Sequence, residues 1–314
     1  MLLSSLNPDQ PIRIGTRGSP LALAQTELVR ARLAGSDAAL ADRSRLSIEV
    51  IRTTGDRVLD RPLAEVGGKG LFSKEIDEAM LAGRIDIAVH SIKDLPTWLP
   101  DGIVLAAVLP REDPRDVLIA AVPRLADLPA GGVVGTSSPR RQAQILARRP
   151  DLEVALLRGN VHTRLSRVAE GVVTATLLAK AGLRRLGLDH IGTMLDPEEM
   201  LPAVGQGAIG VTCRTDDVAV RTLLATIDDA QAAREVTTER AMLAVLDGSC
   251  RTPIGGLAQH IGGGTMDLRG LVASPDGSRV LEGFRSGGIS EGRAMGEDLG
   301  RELRDRAGVG FFAG

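Results

Sequence analysis

The chain has no tyrosine, a single tryptophan (Trp98) and only four phenylalanines in 314 residues. Its core must therefore be aliphatic, and the aromatic platforms on which unpaired bases stack are missing. The only cysteines are Cys213 and Cys250, too few for a disulfide framework and not spaced as metal ligands. No apolar run approaches the ~18 residues that a membrane span needs. The opening residues, Met-Leu-Leu-Ser-Ser-Leu-Asn-Pro, lack the basic flank and apolar length of a secretory signal. Neither sign of charge is in surplus. With 38 basic and 40 acidic residues the net charge is −2, so no global attraction draws the chain to nucleic acid or to a membrane surface. These absences lead us to expect a cytoplasmic protein, monomeric, with no nucleic-acid or membrane partner. A chain this long buries ~75% of its unfolded surface and divides into two or three domains.

Lysine is scarce as well. Only four of the 38 basic residues are lysines, and Lys69, Lys74 and Lys93 fall within one short window. In so arginine-rich a chain, a lysine marks a place suited to a compact ammonium. Lys93 lies in Val-His-Ser-Ile-Lys-Asp-Leu-Pro, residues 89–96. The apolar run from Ile85 to Val89, broken only by Asp86, suits a strand buried on both faces. Leu95 precedes Pro96 and is biased to an extended shape, so Asp94 is expected where the strand gives way to a turn. Ligands of open α/β sheets bind outside such strand ends. A surface ion pair is the alternative reading of Lys93 and Asp94.

Strand-like and helix-like segments alternate over the first 210 or so residues. Strands are expected at 12–16, 46–53 and 85–90, then at 103–109, 116–120, 132–136, 152–156 and 172–178. Helices are expected at 19–34 and 73–83, then at 138–149, 160–170 and 180–186. In the first helix Ser19 caps, Pro20 takes the first position and Gly35 closes. The alternation predicts parallel sheets covered by helices. The two sets echo each other. Ile14-Gly-Thr-Arg-Gly-Ser-Pro20 opens one, and Val134-Gly-Thr-Ser-Ser-Pro139 opens the other. A helix start reached through a tight turn is an anion site, and two of them suggest two walls for an acidic ligand. A Ser-Pro start is also simply a good way to begin a helix.

The pattern changes near Thr215. Helices at 216–227 and 230–246, strands at 254–260, 265–272 and 279–284, and a closing helix at 294–306 read as an α+β domain. The apolar, glycine-rich stretch from Leu201 to Cys213 is expected to return the chain to the first sheet. The domains so read are 1–109 with 204–226, then 110–203, then 227–314.

Arg140 and Arg141 fall in the first turn of a helix, where cations oppose the macrodipole at ~0.3–1 kcal/mol each. That placement makes sense if an anion occupies the site, and without one the pair should be neutral or slightly destabilising. Arg17 flanks the first helix start. Arg158 and Arg164 flank another, with Asn160 as its cap. Arginine is the residue for bidentate carboxylate or phosphate contacts. Cys213 reads as a buried, inert thiol. Cys250 sits in Asp-Gly-Ser-Cys-Arg-Thr, and the adjacent Arg251 favours its reactive thiolate. Gly67-Gly-Lys-Gly70 is not a P-loop.

Taken in order, several segments resemble the porphobilinogen deaminase family, also called hydroxymethylbilane synthases. They are Gly-Thr-Arg-Gly-Ser-Pro-Leu-Ala (15–22), Val-Gly-Gly-Lys-Gly-Leu-Phe (66–72), Asp-Ile-Ala-Val-His-Ser-Ile-Lys-Asp-Leu-Pro (86–96), Arg-Glu-Asp-Pro-Arg-Asp (111–116), Gly-Thr-Ser-Ser-Pro-Arg-Arg-Gln (135–142), Arg-Gly-Asn-Val-His-Thr-Arg-Leu (158–165), Leu-Pro-Ala-Val-Gly-Gln-Gly-Ala (201–208) and Glu-Arg-Ala-Met (239–242). The resemblance implies an α/β fold of two periplasmic-binding-protein-like lobes with a smaller α+β third domain. It implies a dipyrromethane cofactor held by a thioether to Cys250, with Lys69, Lys93, Ser138, Arg140 and Arg141 binding it. It implies Asp94 as the catalytic carboxylate, and Arg17, Ser19, Ser91, Arg158, Arg164 and Gln206 at the substrate. The family reaction joins four porphobilinogens head to tail, releases ammonia each time, and frees hydroxymethylbilane with water. Departures are Glu65 where some members carry lysine, Thr174 where an acid is common, and Ser249 in place of a frequent glycine. The competing reading is a non-enzymatic two-lobed binding or sensor protein for an acidic small molecule, which leaves Cys250 and Asp94 without roles.

Overall fold

The computed structural model describes residues 10–57, 70–248 and 252–311. In chain order it has strands β1 (Ile12–Thr16), β2 (Leu46–Val50), β3 (Ile87–Ser91) and β4 (Ile103–Val108), with helices α1 (Pro20–Ser36), α2 (Thr54–Arg57) and α3 (Lys74–Leu81) among them. Next come β5 (Asp116–Ala120), β6 (Val133–Thr136), α4 (Pro139–Arg148), β7 (Glu153–Leu156), α5 (Val161–Ala169), β8 (Ala175–Ala179), α6 (Lys180–Arg185) and β9 (Thr193–Met194). The chain ends with β10 (Ile209–Arg214), α7 (Val218–Ala225), α8 (Ala230–Val245), β11 (Ile254–Gly262), β12 (Thr265–Ala273), β13 (Val280–Gly288) and α9 (Gly292–Ala307).

Two five-stranded sheets share one topology. The first runs β2-β1-β3-β10-β4 and the second β7-β6-β8-β5-β9. In each, one strand (β1 or β6) pairs in parallel with two neighbours, and beyond them another (β10 or β5) inserts antiparallel between the last two strands. The registers agree as well, with Gly15 beside Ala88 in one sheet and Gly135 beside Thr176 in the other. The expectation of parallel sheets is therefore corrected: both are mixed. The stretch from Leu201 does return to the first sheet, as β10, but it enters antiparallel between β3 and β4.

The first sheet is covered on both faces. Ile14, Ile87, Val89 and Val211 pack with Val29 and Leu33 of α1 and Leu223 and Leu224 of α7. Ile85 and Ala88 pack on the other side with Ile76 and Met80 of α3. Residues 87–90 of β3 are buried, which is why that strand is continuously apolar. Helix starts follow the expected chemistry. The hydroxyl oxygens of Ser19 and Ser138 accept from the amides of Ala22 and Arg141, and the Asn160 side chain accepts from Thr163. α1 passes through Gly35 and stops one residue later, with Asp37 as its C-cap.

The third sheet, β11-β12-β13, is an antiparallel meander backed by α8 and α9. α9 carries Gly292, Gly296 and Gly300, four residues apart on one face. A side chain at Gly296 would come within 2.2 Å of the Thr238 carbonyl of α8, and one at Gly300 within 2.9 Å of that of Met242. Glycine weakens a helix by ~1 kcal/mol per position, yet here it lets two helix backbones touch. Of the aromatic residues, only Phe311 is buried among the described residues.

The chain forms two compact units. One holds described residues 10–57, 70–111 and 208–233, and the other holds 112–207 with 234–311, so the second lobe and the third sheet belong together. Among the described residues no helix is long and apolar enough to cross a membrane.

Candidate active site

In the first unit the carboxyl ends of β1 and β3 converge on one recess. Leu95 is extended before Pro96, as its position requires, and a 3-10 turn of Ile92–Asp94 follows β3. Arg17, Ser19, Phe72, His90, Ser91 and Asp94 line a hollow of about 60 Å³. This is far below the ~300 Å³ of ordinary small-molecule pockets. Gln25 and the Ser91 hydroxyl exchange hydrogen bonds of 2.9 and 3.0 Å, fixing the serine from α1. His90 is buried against the Thr212 hydroxyl, 3.1 Å away.

Arg17 is held at both of its surfaces. Its guanidinium lies 4.1 Å over the Phe72 ring. Its edge forms a bidentate pair with Asp56, whose other support is the Thr53 hydroxyl at 2.8 Å. Burial pushes the Asp56 carboxyl up, but Arg17 outweighs it and leaves the group below its ordinary value. The short helix α2, which contains Asp56, is itself tied to α3, where Glu75 accepts from the Thr54 amide at 2.9 Å.

In the second unit Arg140 and Arg141 are almost fully buried, and both grip Asp116 at the start of β5. Each guanidinium is 2.8 Å from a different carboxylate oxygen. Arg140 also donates to the Leu201 carbonyl (2.6 Å) and Arg141 to that of Leu177 (2.7 Å). Gln206 donates to Asp116 at 2.9 Å and to the Pro114 carbonyl at 2.7 Å. Burial pushes the Asp116 carboxyl up, and the two guanidiniums more than reverse this, holding it well below the carboxylate range. Burial lowers the Arg140 pKa, with Asp116 opposing.

This geometry corrects the expectation that the pair should be neutral or slightly destabilising on its own. Asp116, more than 20 residues upstream, already supplies an anion. Arg140→Leu or Arg141→Leu should therefore lower the stability of the cofactor-free protein by ~3–5 kcal/mol, the cost of breaking a buried pair. Asp116 has a depressed folded pKa, so its stabilisation is complete above the unfolded value near ~3.9 and is lost as pH falls through the folded one. Melting curves at pH 7 should show the full deficit, and the gap between parent and variants should narrow in strong acid.

Two guanidiniums share one carboxylate, so a positive charge is left over. Among the described residues, the buried Nε atoms of Arg140 and Arg141 find no hydrogen-bond partner. Nearby, the Arg164 guanidinium reaches the Ser137 hydroxyl at 3.2 Å and the Gly159 carbonyl at 3.1 Å. It joins the turns that follow β6 and β7, where Ser138 and a half-buried Arg158 also lie. Gln206 is 1% exposed and engaged with Asp116, a supporting position. Lys69 and Cys250 lie outside the described residues, as do Glu65 and Ser249. Thr174 accepts from the Val133 amide at 3.1 Å, at the start of β6.

Sequence reasoning assigned no role to Asp56, Phe72, Asp116 or Arg185. Asp116 and Phe72 end two of the quoted motifs, which was the available signal. Arg185 on α6 donates to the Gly207 carbonyl at 2.5 Å, and among the described residues its Nε finds no partner. Burial pushes it down to about 10 against the pull of Glu112.

Family comparison bears directly on these clusters. Residues 12–222 match the model of the porphobilinogen deaminase dipyromethane cofactor binding domain, and 233–305 match that of the porphobilinogen deaminase C-terminal domain. The chain belongs to the porphobilinogen deaminase family. It is 55% identical to the porphobilinogen deaminase of Paracoccus denitrificans, over 98% of this chain and 97% of that one. It is 54% identical to the chloroplastic porphobilinogen deaminase of Pisum sativum (96% and 83% covered) and 53% identical to the porphobilinogen deaminase of Nitrobacter winogradskyi (98% of each). It is thus a transferase of tetrapyrrole biosynthesis that carries a dipyrromethane cofactor, and the non-enzymatic reading falls away. The residues fit such a group. A dipyrromethane built from porphobilinogen units carries carboxylates, and the arginine pair offers a surplus charge with two unpartnered N–H groups.

Proposed function

We propose that this chain condenses four porphobilinogen molecules head to tail, releasing ammonia at each step, and frees hydroxymethylbilane by hydrolysis. The observation that carries the reading is the gathering of Asp94 with Arg17, Ser19 and Ser91 in one recess at strand ends. Held by a thioether to Cys250, a dipyrromethane would supply the nucleophilic pyrrole carbon. In each condensation the aminomethyl C–N bond breaks with its electron pair leaving on nitrogen. A C–C bond would then form as the attacked ring gives up a proton. Asp94 accepts from the pyrrole N–H and stabilises the cation that develops on the substrate as ammonia leaves. It also serves as a proton acceptor at the ring. Arg17 and Ser19 hold substrate carboxylates, with Phe72 and Asp56 orienting the guanidinium. Ser91 adds a hydroxyl contact.

Ser138, Arg140, Arg141, Lys69 and Lys93 hold cofactor carboxylates, and Arg158 and Arg164 hold those of the substrate. The Gln206 contact with Asp116 favours a supporting role over direct binding for that residue. In this reading 1–109 with 204–226 forms domain 1, 110–203 domain 2, and 227–314 the cofactor-bearing domain 3. The protein works as a cytoplasmic monomer without nucleic-acid or membrane partners. The intact mass of purified protein tests the reading. We expect the bare-chain mass plus two pyrrole units, and consumption of porphobilinogen. A bare mass together with no consumption would overturn it.

A further inference from the structure

Glu239, in the middle of α8, is fully buried. Its carboxylate accepts two backbone amides. One oxygen takes the Gly205 N–H at 2.6 Å and the other the Ala258 N–H of β11 at 2.8 Å. Gly205 lies in the 201–207 segment, which forms a shelf under the arginine pair. At one end the Leu201 carbonyl takes the Arg140 guanidinium, and at the other Gln206 donates to Asp116. The third sheet grips the shelf a second time, through the Gly256 amide and the Pro202 carbonyl at 2.9 Å.

We infer that Glu239 is a positioning residue, through which the third domain sets the geometry of Arg140 and Arg141. The path runs from Glu239 to the Gly205 amide, from the adjacent Gln206 to Asp116, and from Asp116 to both guanidiniums. Hydrogen bonds to a charged acceptor are short and directional, so the carboxylate fixes the turn more firmly than a neutral group would. A buried acid that only stabilised the helix would have no such reach. The inference rests on the proposed role of the arginines in holding carboxylates.

The test is the rate at which cofactor-free protein acquires its two-pyrrole mass when given porphobilinogen, with melting curves beside it. Glu239→Gln keeps shape but loses charge, and Gln206→Leu cuts the path farther on. Each should slow loading about 10-fold, and the double variant should load no more slowly than the worse single, since steps on one path do not add. Glu235→Gln is the control. That acid is also buried on α8, where it accepts from the His260 amide at 3.4 Å. It should load within about 2-fold of the parent. If Glu239→Gln does not fold, Glu239→Asp, which retains charge but shortens the reach, takes its place in the same cycle. Losses that multiply in the double variant, or a Glu235→Gln loss equal to that of the Glu239 variant, overturn the inference alone. A parent that never gains the mass overturns the functional reading, and the inference with it.

Discussion

Cys250→Ser protein will purify at the mass of its bare chain and will not turn over porphobilinogen. Cys213→Ser protein will carry the two-pyrrole mass and remain active. The two thiols differ in their sequence settings, and Cys213 is buried. Cys213 lies in β10, opposite Ile87 and Val104, with no exposed surface. Burial pushes its thiol up to about 11, so at neutral pH almost none is thiolate, and the thiolate is the reactive form. Cys250 follows Asp247-Gly-Ser and precedes Arg251, a polar setting with a cation alongside. A serine at 213 puts a hydroxyl in an apolar strand and should cost ~1–3 kcal/mol of stability without touching the chemistry. Mass spectra of the two variants decide the matter. Normal adduct and turnover in Cys250→Ser would sink the assignment of the cofactor thiol.

Asp94→Asn will keep the fold and the cofactor but slow condensation at least ~100-fold, the usual scale for losing electrostatic or proton-transfer help. The side chain is half-exposed at the end of a one-turn 3-10 helix, so an isosteric amide should fold with little penalty. An amide still accepts a hydrogen bond but brings no charge to a developing cation. The loss should therefore appear in kcat more than in KM, the signature of an interaction made mainly in the transition state. Single-turnover rates with porphobilinogen measure it. Rates within a few-fold of the parent would make Asp94 a structural residue.

Much of this was legible in the residues alone. The turn after β3 follows from an apolar run stopped by Leu95-Pro96. The starts of α1, α4 and α5 follow from Ser19-Pro20, Ser138-Pro139 and Asn160, because a cap is a bond between near neighbours. α9 was harder to bound. Its glycines argue against a helix locally, and only the close approach of α8 explains them.

The sequence by itself determined the alternation of elements, the helix starts, the contrast between the two cysteines and the membership of a family. Local chemistry and motif order suffice for these, since each depends on residues a few positions apart. The tertiary structure decided strand direction, because hydrophobic periodicity is the same whichever way a strand runs. It thereby turned two expected parallel sheets into mixed ones through β5 and β10. It also decided what Arg140 and Arg141 are. Read along the chain they are two cations facing a helix dipole. In the fold, Asp116 arrives from another strand and Gln206 from another segment, and burial makes their interaction far stronger than any local term.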